Sequence, residues 1–178
     1  IETLKHERRG READAFQGSW RDRNPRERIP VWREVVACAA VRVRFDRFYT
    51  YAELNETLEA WAAEFPGLLQ LGSIGQSYEG REIPIATVTN LETGPPDEKP
   101  AVFVHAQIHA MEFTGTTAAL SLLDRLLHGH GEDERVTQAL DTRAFYVIPR
   151  VNPDGAEAGL VDGRFRRSSV RPYPRDEP

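Results

Sequence analysis

An α/β domain is predicted from residue 46 onward, and three observations carry that expectation. "PAVFVHA" (residues 100–106) and "AFYVIPR" (residues 144–150) are short, almost wholly apolar runs, the mark of central strands buried on both faces. Between them, the stretch from Phe113 to Leu127 carries Leu120, Leu122, Leu123, Leu126 and Leu127, and a shorter helix is expected around Val136 to Leu140. Apolar strand, helix, apolar strand is the α/β pattern.

The elements before these follow in order. Residues 1–34 hold nine Lys/Arg and seven Asp/Glu with little apolar periodicity, so residues 1–45 read as a charged, poorly ordered N-terminal extension. Thr50 and Glu53 then have capping-box spacing, and Leu54, Leu58, Trp61 and Phe65 recur at helical spacing as one buried stripe. Pro66-Gly67 stops that helix. "LLQLGSIGQSYEGREIPIATVTN" alternates apolar and polar residues around Tyr78-Glu79-Gly80, which predicts two strands joined by a turn. "NLETGPPDEKP" is a surface loop. "VNPDGAE", with Asn first, Pro second and Gly fourth, has the residue order of a type I turn.

Composition narrows the class. The 178 residues are 40% apolar and 29% charged, with 13 Gly and 12 Pro, which is globular usage. Net charge is −5 with both signs interspersed, so no basic face marks a nucleic-acid partner. No run approaches the roughly 20 apolar residues of a membrane helix. "VVACAAV" (residues 35–41) contains an A-x-A-like Ala37-Cys38-Ala39, but it lies deep in the chain and Arg42 and Arg44 follow, against a secretory signal. Cys38 is the only cysteine, which excludes an internal disulfide and fits a reducing, cytoplasmic compartment.

The chemistry sits in "HAQIHAMEFTG" (residues 105–115). His109 and Glu112 are spaced i, i+3, which places both on one face of the first turn of a helix that begins there. They follow a buried strand, at the carboxyl edge of the sheet where open α/β folds place ligands. An imidazole nitrogen and a carboxylate oxygen are both good zinc donors. His105 closes the strand and reads as a local packing residue. His128 and His130 lie past the helix, too far along it to converge on the same ion.

Four ordered motifs widen the reading: "YTYAELNETLEAWAAEFPGLLQLGSIGQSYEGREI" with its tyrosine-led helix and Ile-Gly-x-Ser-x-x-Gly-Arg turn, the His-x-x-Glu pair of "HAQIHAMEFTGTTAALSLLDRLL", and Asn-Pro-Asp-Gly in "PRVNPDGAE". In that order and at those intervals, residues 46–178 resemble the N-terminal part of the zinc metallocarboxypeptidase family. The resemblance implies a central mixed sheet flanked by helices, incomplete at residue 178, and zinc as the cofactor. It implies His109 and Glu112 as two of three metal ligands, with a metal-activated water attacking the peptide carbonyl. An arginine beside the metal stabilises the oxyanion in such enzymes. In "RFRRSSVRP" a gapless match to the family's pattern puts that role on Arg167; matching Phe165 to the family's tryptophan puts it on Arg166. Asn152-Pro153-Asp154-Gly155, Gly75, Gly80 and Arg81 read as architectural.

Two departures qualify what the resemblance implies. Met111 stands where the digestive enzymes carry a substrate-binding arginine, and a thioether cannot pair with a carboxylate. No histidine follows His130, so the third ligand, the Asn-Arg carboxylate clamp, the capping tyrosine and the general-base glutamate have no counterpart here. The expected function is therefore zinc-dependent hydrolysis of peptide or protein C-termini by a parent protein, with this chain inactive alone, binding zinc too weakly to retain it stoichiometrically, and prone to associate through an uncovered strand edge. The alternatives are a zinc deacylase or amidohydrolase of the same fold, acting on small N-acyl amino acids or cell-wall peptides, and a non-catalytic truncated chain.

Overall fold

A computed structural model of the protein describes residues 40–172. Most of the predicted extension, His6, and residues 35–39 of the 35–41 segment, Cys38 among them, lie outside these residues.

Helix α1 (Tyr51–Glu64) starts as the capping box predicts: the Thr50 side chain accepts from the Glu53 amide, and the Glu53 carboxylate accepts from the Thr50 amide at 2.9 Å. Leu54, Leu58 and Trp61 form its buried stripe, Phe65 caps its end, and Trp61 Nε1 donates to Val41 O at 2.7 Å. Strands β1 (Leu69–Gln76) and β2 (Glu82–Val88) form the expected antiparallel hairpin. Gly80, at φ +80, supplies the turn's left-handed residue. The 89–100 loop carries two short 3₁₀ turns, Leu91–Thr93 and Pro96–Glu98.

β3 (Ala101–His105), α2 (Thr114–Gly129), α3 (Glu134–Thr142) and β4 (Ala144–Ile148) then make the strand–helix–strand unit, with β3 and β4 parallel. β4 is also antiparallel to β2, so the described sheet is mixed, in the order β1-β2-β4-β3. Ala86, Val147 and Val104 are level across three strands and line one face. With α1 and the apolar side of α2 (Ala119, Leu120, Leu123, Leu126, Leu127) and Val136 and Leu140 of α3, they form a single core. Thr87, Tyr146 and Phe103 share the opposite, less covered face.

Two expectations are corrected. β4 is buried as predicted, but β3 is an edge strand among the described residues, and its Phe103 is 61% exposed. An apolar run reports hydrophobicity on both faces, not whether a second neighbour is present. "NPDG" opens a helix, α4 (Pro153–Leu160), rather than forming a simple turn. Asn152 Oδ1 accepts from the Gly155 amide and Pro153 occupies the first turn, so the same residue order serves an N-cap.

Candidate metal centre

His109 and Glu112 do come together, but from a turn rather than from a helix. α2 begins only at Thr114, and the Glu112 amide donates to His109 O at 3.1 Å, closing a single turn before it. His109 Nδ1 stands 3.0 Å from both Glu112 carboxylate oxygens. Both side chains are solvent-accessible, at 32% and 56%. Donors each about 2.0–2.2 Å from one zinc ion lie roughly 3–3.5 Å apart, so this spacing fits two ligands of one metal. Among the described residues no group of three His, Cys, Asp or Glu could hold a metal, and the pair supplies two donors.

The other histidines are placed elsewhere. His105 is on β3, its ring 5.9 Å from that of Phe103. His128 closes the far end of α2 beside Asp124, and His130 faces Asp141. A helix of 16 residues puts that end roughly 24 Å away from the pair.

The ligand turn is gripped from three directions. Parallel pairing runs on past β3 and β4: Val151 N donates to Ala106 O at 3.0 Å and Asn152 N to Gln107 O at 3.2 Å. Asn152 Nδ2 donates to Ile108 O at 3.4 Å. The 165–168 segment closes the second side, where Ala110 N donates to Arg167 O at 3.1 Å and the Phe165 ring meets Phe113 edge-on at 6.1 Å. The backbone of Arg167 is thus fixed against the residue next to His109, while its side chain is exposed. Arg166 directs Nη1 to Ser169 O at 3.3 Å. Met111 is 51% exposed on the turn itself.

The third grip is one that sequence reasoning missed. Gln107 is 3% exposed and has φ +50. Its Nε2 donates to Ala110 O at 2.8 Å, and its Oε1 accepts from Arg150 Nε at 2.9 Å and from the Thr116 hydroxyl. Arg150, 1% exposed, also donates to Tyr49 O and lies 3.4 Å from Glu157 Oε1. Burial pulls its guanidinium down to about 10, opposed by the Glu157 charge, so it stays cationic at neutral pH. Glu157 Oε1 also accepts from the Tyr51 amide at 2.6 Å, where a carboxylate at a helix start is favourable.

Asp154, in the first turn of α4, holds the β1–β2 turn. Its carboxylate accepts from Ser77 Oγ at 2.7 Å, Glu79 N at 2.9 Å and Arg81 Nη1 at 2.7 Å. Burial opposes its ionisation, yet these donors more than offset that and hold its pKa below the ordinary aspartate value. Arg81, Asn152 and Asp154 are thus load-sharing parts of the frame, as their architectural reading has it. Gly155 is tied to the site by space: a Cβ there would stand 2.5 Å from Ala110 Cβ and 3.0 Å from Ser168 O. A cavity of about 490 Å³, lined by Gln76, Tyr78, Ile108, Asn152, Ser169 and Arg171 among others, opens beside the ligand turn.

The fold and the His-x-x-Glu turn define a family. The zinc carboxypeptidase profile (peptidase M14) matches residues 54–174, and the chain belongs to that family. It is 32% identical over 125 residues to carboxypeptidase A2 of Rattus norvegicus, covering 70% of this chain and 29% of that protein. It is 29% identical over 117 residues to a zinc carboxypeptidase of Saccharothrix mutabilis subsp. capreolus, covering 66% and 26%. The crystal structure of carboxypeptidase A from Helicoverpa armigera superposes with a TM-score of 0.63 at 24% identity, over 74% of this chain and 31% of that one, which shows the shared fold. The chain spans less than a third of the length of either sequence relative. Among the described residues no helix is long and apolar enough to cross a membrane.

Proposed function

We propose that this chain supplies two zinc ligands, His109 and Glu112, to a carboxypeptidase-type hydrolase that cleaves peptides at their free C-termini. The observation that carries this reading is the convergence of His109 Nδ1 and both Glu112 oxygens at 3.0 Å on one accessible turn. Zinc bound there would polarise the scissile carbonyl and activate water. The protein's own residues hold the two donors together, dock the 165–168 segment beside them, and place Ile108 in the lining of the neighbouring cavity. Arg167 is assigned as the oxyanion-stabilising residue. Its backbone carbonyl accepts from the Ala110 amide, next to His109, so its side chain departs from a point beside the pair. The N-terminal extension is proposed to end before Val41, because Val41 and Val43 pack on the core and Trp61 bonds Val41 O, and no ligand role is given to His105, His128 or His130.

The test is a zinc titration of the isotope-labelled chain, followed through the histidine ring signals. His109 is expected to respond first, and His109→Ala should remove that response; zinc reporting only at His128 or His130 would overturn the assignment. In the polypeptide expressed from the complete reading frame, Arg167→Ala should lower kcat on peptides with a free C-terminus by about 10²–10³. A loss of that size in Arg166→Ala with none in Arg167→Ala would move the role to Arg166.

A further inference from the structure

We propose that Gln107 is the positioning residue that sets the spacing of His109 and Glu112, and that Arg150 fixes the orientation in which it does so. This rests on the zinc-ligand reading of the pair.

A glutamine with φ +50 adopts a backbone conformation that only glycine, and less often asparagine or aspartate, takes readily. The chain nevertheless keeps a long side chain there and buries it. A carboxamide has one donor end and one acceptor end, and its neighbours decide which faces which way. The Arg150 guanidinium can only donate, and its Nε points at Gln107 from 2.9 Å, so Gln107 must present Oε1 to it. Nε2 is then turned towards Ala110 O, 2.8 Å away. Ala110 is the residue after His109 and lies within the turn that carries both ligands. Its carbonyl is held by Gln107 and its amide by Arg167 O, so its peptide groups are fixed on both sides.

The left-handed backbone at Gln107 follows from the same demand. It folds the chain back so that the side chain of residue 107 can reach the carbonyl of residue 110, which an extended continuation of β3 could not do. Gly115 completes the fit: a Cβ there would stand 3.1 Å from Gln107 N, so the start of α2 packs directly on this backbone. Thr116, one residue on, has its hydroxyl within reach of both Gln107 Oε1 and Pro149 O, and its one proton can be given to either. Arg150 reaches this point from the end of β4, while its other nitrogens bond Tyr49 O and face Glu157. The ligand turn is thereby referenced to two separate elements, α2 and the end of β4, through a single carboxamide.

Gln107→Gly deletes the clamp with the rest of the side chain, at a backbone conformation that glycine adopts without strain. Gln107→Glu keeps an acceptor for Arg150 but cannot donate to Ala110 O when ionised. Two readouts are taken: amide hydrogen exchange at Ala110 and Glu112 without metal, and zinc affinity at the His109 ring. Val136→Ala, in α3 at the far end of α2, is the control for general destabilisation. Both Gln107 variants should accelerate exchange at Glu112 at least tenfold and weaken zinc binding at His109 by about tenfold, the size of effect seen when a metal ligand loses its supporting partner. The control should leave both unchanged. Unaltered exchange and affinity in Gln107→Gly, or equal effects in Val136→Ala, would overturn the proposal. If zinc fails to perturb His109 in the parent chain, the metal reading falls; the exchange data then decide alone whether Gln107 sets the turn.

Discussion

Replacing Asp154 with alanine tests the frame around the candidate centre most directly. The carboxylate is buried and receives three hydrogen bonds, from Ser77, the Glu79 amide and Arg81. The Arg81 contribution is discounted, because that guanidinium is about one-third exposed, also pairs with Glu79, and can rehydrate. The other two donors, at 2.7 and 2.9 Å, are part-buried and lose a charged acceptor, each such bond being worth about 1.5–3 kcal/mol. Relief of the carboxylate's own burial returns part of this. A net loss of about 3 kcal/mol is expected for Asp154→Ala, and about half that for Asp154→Asn, which keeps an acceptor oxygen. Urea unfolding at pH 7 reads the difference from the midpoint at constant slope. The folded-state pKa is depressed, so this contribution is present above the unfolded value near 3.9 and fades as pH falls through the folded value. The gap between parent and variant should therefore be full at about pH 5 and narrow steadily as pH falls below the unfolded value. A loss under about 1 kcal/mol at pH 7, or a gap that does not depend on pH, would refute the reasoning.

Two further substitutions probe separate links. Thr50→Ala removes one half of the α1 capping box and should cost about 1 kcal/mol in the same unfolding assay, with no effect on zinc response at His109. Gly155→Ala forces a methyl group against Ala110 and Ser168 O, and overpacking of that kind costs about 1–3 kcal/mol. Because one of the displaced groups belongs to the ligand turn, it should also shift the His109 ring signals, whereas Thr50→Ala should not.

Local chemistry was legible and long-range chemistry was not. The capping box at Thr50 and Glu53, the hairpin around Tyr78-Glu79-Gly80 and the apolar side of α2 are each written within a few consecutive residues. The His109–Glu112 pair was legible for the same reason, although a turn rather than a helix presents it. Asn152-Pro153 could open either a turn or a helix, and only the burial of the α4 residues that follow selects the helix. The edge position of β3 depends on whether a second neighbour is present, about which its own side chains are silent. Gln107 and Arg150 are 43 positions apart, and Ser77 and Asp154 are 77 apart, so neither pairing has a local signature. The one available clue was Arg150 itself, a charge directly after an apolar strand, where a buried cation needs partners.

The strand order β1-β2-β4-β3 has a consequence for how the domain can assemble. The first two strands are neighbours in sequence and in space, so their hairpin can form by itself, though such a hairpin alone is marginal in water. β3 comes next along the chain, yet β2 offers it no place, because β4 occupies the position between them. Until residues 144–148 are in register, β3 has no described partner and the core face has no centre. The last strand of the four is therefore the keystone. It joins a local hairpin to a parallel strand distant in sequence, and the chain just beyond it, residues 150–152, supports the turn carrying His109 and Glu112.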